Sequence, residues 1–444
     1  MLNLFAKHKI KFAIAFVLPI LAFGFNIYYN TNKSEIHTTN PNKQNNKYEI
    51  LKEKCNSGDI KACLDSHPLK YKKPIQAKLN GKWGFIDKNG EIIINPIFDN
   101  ISNFKENLAS VKINGKWGFI NESGKFITEP IFNYAWNFKE NFASIRLKEK
   151  WGFINKNGNI AIKPIFDYTL DFNENLAGAK LNGKWGFIDK NGKFIIKPIF
   201  DEVRNFKKNL ARIALDKKWG FINSEGNFTI KPIFDYTLDF NENLAGAKLN
   251  GKWGFIDKNG KFIIKPIFDE VRNFKKNLAE VKLNNKWGFI DKSGKFILDP
   301  IFDYTLGFSE NIAGINLNEK WGFANKNGEI IINPIFDNIS NFKENLASVN
   351  LNGKWGFIDK NGKFAIEANF DWAWDFKEDL ASVRLNGKYG FIDKNGKFAI
   401  KPIFDKVYSF NQGIAKVKLN EKWGLIDKNG NFIVEPIFDD IDYY

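Results

Sequence analysis

Histidine, cysteine and methionine are almost absent from this chain. Its 444 residues hold three His, two Cys and one Met. All six lie near the N-terminus, at Met1, His8, His37, Cys55, Cys63 and His67. Everything after His67 therefore lacks the partners of Ser–His and Cys–His nucleophilic pairs, and the nitrogen and sulfur ligands of zinc. No catalytic residue, metal site or cofactor is expected there, and the chain is not read as an enzyme. Charge of neither sign is missing: 66 Lys and Arg stand against 50 Asp and Glu, a formal net charge of +16. The lysines are spread evenly and alternate with acidic residues. This reads as a general bias in residue usage, and no nucleic-acid partner is expected.

Long apolar runs are also missing, with one exception. "MLNLFAKHKIKFAIAFVLPILAFGFNIYYN" begins with Lys7, Lys9 and Lys11 and carries no charge from Phe12 to Asn32. The preferred reading of residues 1–29 is a signal anchor, because Phe12 to Tyr29 is just long enough to span a bilayer. The alternative is a signal peptide cleaved after Ala22-Phe23-Gly24. Either way the lysines stay cytoplasmic and the rest is exported. The expected location is the periplasmic side of an inner membrane, or secretion if the segment is cleaved. Residues 30–47 form a polar linker that cannot bury a core. Residues 48–72 carry "KCNSGDIKACLDS", where Gly58 would end one short helix and Asp59 would cap the next. The stretch resembles cysteine-bearing helical repeats of the tetratricopeptide-like kind. Cys55 and Cys63 are expected to form a disulfide, as nearby cysteines of exported proteins usually do.

What is abundant is repetition. The thirty residues from Asn182 to Ala211 recur from Asn250 to Ala279. They belong to a wider array over 73–444. Trp83, Trp117, Trp151, Trp185, Trp219, Trp253, Trp287, Trp321, Trp355, Tyr389 and Trp423 follow one another at a constant 34-residue spacing, and ten of the eleven are Trp. A period of this length marks stacked supersecondary units. Turn chemistry sets the class. Asn-Gly precedes Lys-Trp in just over half the units and recurs after "FIDK" in most, and both residues of such a turn take positive φ. Each unit reads as a three-stranded β-meander: "ASVKL", "KWGFID" and "KFIIKP". A Pro follows the third strand in every unit but one, where Ala368 replaces it, and Pro ends regular pairing.

Two-residue turns would set Phe187 opposite Ile196 and Ile188 opposite Ile195. Trp185, Phe187, Phe194 and Ile196 then share one face, while Ile188, Ile195, Ala177, Ala179 and Leu181 share the other. A sheet with two apolar faces must be sandwiched between neighbours. The Trp of each unit is assigned to the core, and Phe206 and its equivalents to the seam.

"GKWGFIDKNGKFIIKPIFDEV" closely resembles the bacterial WG-containing repeat, over about Pro74 to Tyr444. The resemblance implies an all-β repeat and little about activity. Units are also copied in bulk: Glu91–Val111 recurs as Glu329–Val349, seven units on. Propellers usually hold four to eight blades, so eleven interchangeable units favour an open solenoid or superhelical stack. One or two β-propellers are the alternative. The "DKNG" stretches fail as calcium loops, because Phe and Ile follow where ligands are needed. After each "PIFD" a small or β-branched residue is flanked by two that vary, among them Tyr134, Trp136, Trp372 and Trp374. These four are the candidate binding face. The expected function is a binding or structural scaffold of the cell envelope, with an envelope protein or polysaccharide as partner. The alternatives are an accessory enzyme with an unrecognised carboxylate site and a purely architectural spacer.

Overall fold

The computed structural model describes residues 74–443. Among these every regular element is a strand. No helix there is long and apolar enough to cross a membrane. The membrane segment, the expected helical stretch over 48–72 and the Cys55–Cys63 pair lie outside the described residues.

The strands form eleven four-stranded antiparallel sheets. Blade 5 is typical. Its strands are Glu202–Val203, Ala211–Leu215, Lys218–Ile222 and Phe228–Phe234, in that order across the sheet. Three strands match the meander read from the sequence. The fourth is two residues long and follows the preceding blade's last strand, which ends at Phe200, after the single residue Asp201. A third hairpin turn serves it. Lys208 and Asn209 both take positive φ (53° and 62°), and Lys207 bridges Leu210 across them. Asn209 is its one positive-φ signal; without the following glycine of an Asn-Gly pair it is not legible as a turn.

The expected open stack is wrong. The last strand, Asp440–Asp442, pairs with the first, Ile75–Leu79, setting Ala77 opposite Ile441. The Asp439 N–H donates to the Lys78 carbonyl at 2.8 Å. Ile75, Ala77 and Ile86 share a buried cluster with Leu425, Val434 and Phe438. The array is thus one closed ring, an eleven-bladed β-propeller, and not two rings in tandem. The physical reason lies in the partial last unit, "IFDDIDYY". It supplies the short strand that blade 1, starting at Ile75, lacks. Spreading a full turn over eleven blades also leaves only about 33° per blade, so near-parallel sheets can close without strong wedging.

Packing between sheets is apolar on both sides, as the patterning requires. At the seam of blades 4 and 5, Phe187, Ile196 and Phe200 meet Val203, Ala211, Ile213 and Ile222, with Phe206 among them. The Phe187 and Phe206 rings are 4.8 Å apart. The expected register fails in part. Phe187 does face Ile196, but Ile188 faces Phe194, with bulges on both sides of the Phe187 pair. Phe194 therefore turns to the preceding seam, 5.8 Å from Phe166, while Ile195 is exposed. The cause is the second turn. Asp189 donates its N–H to the Lys193 carbonyl, and the Gly192 N–H donates to the Asp189 carbonyl. That loop is longer than the two-residue turn assumed. Nor does Pro end the third strand: Phe194–Phe200 runs through Pro198, which sits in the bulged stretch where the ladder needs no donor.

Candidate binding face

The polar groups that recur from unit to unit mostly hold one blade to the next. Asp167, after a "PIF", accepts from the Lys150 ammonium at 2.7 Å and, with its other oxygen, from the Gly183 N–H of the following turn at 2.9 Å. Asp439 does the same across the closure, accepting from Lys422 at 2.5 Å and the Gly81 N–H at 2.8 Å. Lys150, the Gly183 N–H and the Lys180 charge hold the Asp167 carboxyl below its ordinary range against a small effect of burial. A second set of staples starts from the glycine-free turn. Glu140 accepts from the N–H groups of Glu174 and Asn175, at 2.7 and 3.0 Å. The "DKNG" aspartates cap their own turns: Asp189 accepts from the N–H groups of Asn191 and Lys193, both at 2.9 Å. Among the described residues no group of three or more acidic side chains could hold a metal ion.

The repeat tryptophans sit at the rim of the seams. Trp151, Trp219, Trp287, Trp355 and Trp423 are buried. Trp83, Trp117, Trp185, Trp253, Trp321 and Tyr389 are half-buried, and pack against seam clusters. Each Trp lies beside the residue paired with it on the preceding strand, often a cation. The Lys180 ammonium is 6.0 Å from the Trp185 ring and the Arg146 guanidinium 5.9 Å from Trp151. The first variable position places a ring between two such tryptophans. Tyr134 is 6.1 Å from Trp117 and 5.7 Å from Trp151, and Tyr168 continues the row 4.9 Å from Trp151.

The four candidate residues fall into two pairs. Tyr134 and Trp136 are 5.2 Å apart on blade 3, and Trp372 and Trp374 are 5.9 Å apart on blade 10. Seven blades separate the pairs in one direction and four in the other, so they form two places on the ring, not one. Trp136, Trp372 and Trp374 are exposed, and Tyr134 is half-buried.

The second variable position is not free to drift, because it faces the residue eight further on. Leu170 faces Gly178, whose added Cβ would lie 2.9 Å from Leu170 Cδ1. Ser102 faces Ser110, with hydroxyls 3.0 Å apart. Arg272 faces Glu280 at 2.6 Å. This compensation was readable as an i, i+8 pattern once the third hairpin turn was known.

The structure also adds Arg146 and Arg384. Of the five arginines described, Arg204, Arg212 and Arg272 are paired with Glu202, Asp239 and Glu280. The guanidinium groups of Arg146 and Arg384 have no hydrogen bond or ion pair among the described residues, and the Arg146 Nε is buried without a partner. Both stand in register with a candidate ring, Arg146 with Tyr134 and Arg384 with Trp372. The signal for them was present: "AWNFKENFASIRL" and "AWDFKEDLASVRL" extend the seven-unit echo.

An all-β ring of eleven WG units with an aromatic rim defines the class, and comparison with known families agrees. The chain belongs to the WG containing repeat family, whose model matches in eleven consecutive stretches, 83–117 through 423–444. No curated protein matches the sequence. Among solved structures, a eukaryotic initiation factor is similar at 11% identity, covering 84% of this chain and 98% of that one, with a TM-score of 0.39. Hsv2p of Kluyveromyces lactis is similar at 10% identity, covering 52% and 92%, with a TM-score of 0.29. Neither superposes closely enough to bear on function.

Proposed function

We propose that this chain is a non-catalytic binding scaffold of the cell envelope, exported and tethered by its N-terminal segment. One observation carries the binding part: among the described residues only blades 3 and 10 expose a tryptophan at the second variable position, where other blades place a residue that bonds to or packs on the one eight further on. The Asp and Glu staples recur from blade to blade and are engaged internally, whereas Trp136 and Trp374 replace residues that elsewhere complete the frame. Exposed indole is costly to keep without a contact. Export rests on the basic-then-apolar N-terminus. The test is capture of envelope components by the full chain and by a variant with Tyr134, Trp136, Trp372 and Trp374 replaced by Ser. The variant is expected to fold and to lose the captured partner. Retention of the partner by the folded variant would defeat the binding reading and leave an architectural spacer. Protease added to spheroplasts is expected to degrade the array while cytoplasmic markers survive; protection of the array would defeat export.

A further inference from the structure

Blades 3 and 10 share one local constellation that no other blade has. In each, an exposed Trp (Trp136 or Trp374), a second ring (Tyr134 or Trp372) and an unpaired arginine (Arg146 or Arg384) meet on one strand pair. We propose that these are twin binding sites for carboxylate-bearing sugar units of an acidic glycan. This deepens the scaffold reading and rests on it.

Three features point to a ligand. The arginine is not required by the frame, since the same register holds Lys112, Lys180, Ala214 and Asn350 elsewhere. The other three arginines have acceptors, whereas the guanidinium groups of these two have none among the described residues. Each exposed Trp also removes an internal bond. In blade 2 the hydroxyl of buried Ser110 pairs with Ser102. In blades 3 and 10 the indole replaces that partner, and the buried hydroxyls of Ser144 and Ser382 have none. For the fold alone the exchange is a loss, and it has been made twice.

The chemistry selects the ligand. Trp136 and Trp374 are 41% and 49% exposed and tilt 59° and 64° from the neighbouring ring. They cannot clamp a flat group from both sides, but each offers one open face suited to the C–H face of a sugar ring. The planar guanidinium on the paired strand, in register with the second ring of each pair, matches a carboxylate through two parallel N–H···O bonds. A single cation, Arg146, attends Trp151, whereas Arg204 and Arg212 both attend Trp219. One guanidinium suits the single charge of a carboxylate better than the multiple charges of a phosphate chain. Two sites on one rigid ring would also engage a long polymer more tightly than a short one.

The test is titration calorimetry of the purified full chain with trigalacturonate, its methyl ester, polygalacturonate and oligo(dT). The expected result is two equivalent trigalacturonate sites per chain, tighter binding of the polymer and at least tenfold weaker binding of the ester. The R146Q/R384Q and W136S/W374S variants should each weaken trigalacturonate at least tenfold, with unchanged melting temperature. Equal binding of the ester, tighter binding of oligo(dT), indifference to both variants, or no trigalacturonate binding would overturn the proposal. If trigalacturonate fails while the four-ring Ser variant still loses its envelope partner, the ligand class is wrong and the scaffold reading stands.

Discussion

The aspartate after each "PIF" does two things at once: it pairs with a lysine of its own blade and accepts a backbone N–H of the next blade's turn. Its titration therefore bears on ring stability. In all ten blades that carry this Asp–Lys pair, the lysine bond leads the effects holding the carboxyl below its ordinary value of 3.8. A depressed carboxyl contributes stability that is fully present above 3.8 and is lost as pH falls through the lower folded values. Melting temperature should thus hold steady in mild acid and drop once pH passes below about 4. Blade 2 already ends in Asn133, which keeps the N–H acceptor, bonding Lys148 at 2.8 Å. Asp201→Asn should likewise keep the turn and lose only an exposed ion pair, costing less than about 1 kcal/mol in denaturant unfolding. A larger loss would mean that the charge itself holds the blades. Side-chain volume is tighter. Gly178→Ala would set a methyl 2.9 Å from Leu170 Cδ1 and 3.2 Å from Val203 Cγ2. It should destabilise by about 1–3 kcal/mol, and adding Leu170→Ser should recover most of that. A double-mutant cycle measures the coupling; simple additivity would show that the two residues do not compete for space.

At the scale of the strand, the glycine of each "WG" is explained by its neighbour. A Cβ on Gly254 would lie 2.4 Å from the Ile264 carbonyl oxygen and 2.8 Å from Pro266 N, both backbone atoms of the bulged third strand. Gly254→Ala should therefore push that strand away and cost about 3 kcal/mol or more, with faster amide exchange in Phe262–Phe268. Unchanged exchange there would show that the bulge can yield. The sequence disclosed this much: glycine after Trp signalled close approach, and Asn-Gly signalled the first turn, where Asn182 and Gly183 take φ of 51° and 81°. It did not disclose the bulge, because Asp189 rather than the Asn-Gly pair organises the second turn. It also hid the short fourth strand, whose hairpin turn at Lys208-Asn209 carries a positive-φ signal only in Asn209 and lacks the glycine that completes the Asn-Gly pair of the first turn. The candidate site was half legible. Trp136 and Trp374 stood out as variable aromatics. Arg146 and Arg384 did not, because an unpaired charge is visible only when every possible partner has been placed.

For the whole molecule, the question is what turns eleven equivalent units into a ring. Each blade contacts its two neighbours, so stability should be nearly a sum of blade and seam contributions. One seam differs from the rest by joining strands from opposite ends of the array. Gln76, Ala77 and Lys78 pair with Asp442, Ile441 and Asp440. Lys416 reaches Asp440 at 2.7 Å, and Ile441 is fully buried. Removing residues 439–444 deletes the fourth strand of blade 1 and the Asp439 staple, but leaves all other seams intact. The expected result is faster amide exchange in Ile75–Leu79 and Lys82–Ile86, with unchanged protection in Ala245–Leu249 at the far side of the ring. Melting should begin at blades 1 and 11 and lie below that of the full chain. Blade 6 losing protection to the same extent would refute nearest-neighbour cohesion. It would mean that closure, and not the individual seams, holds the ring in shape.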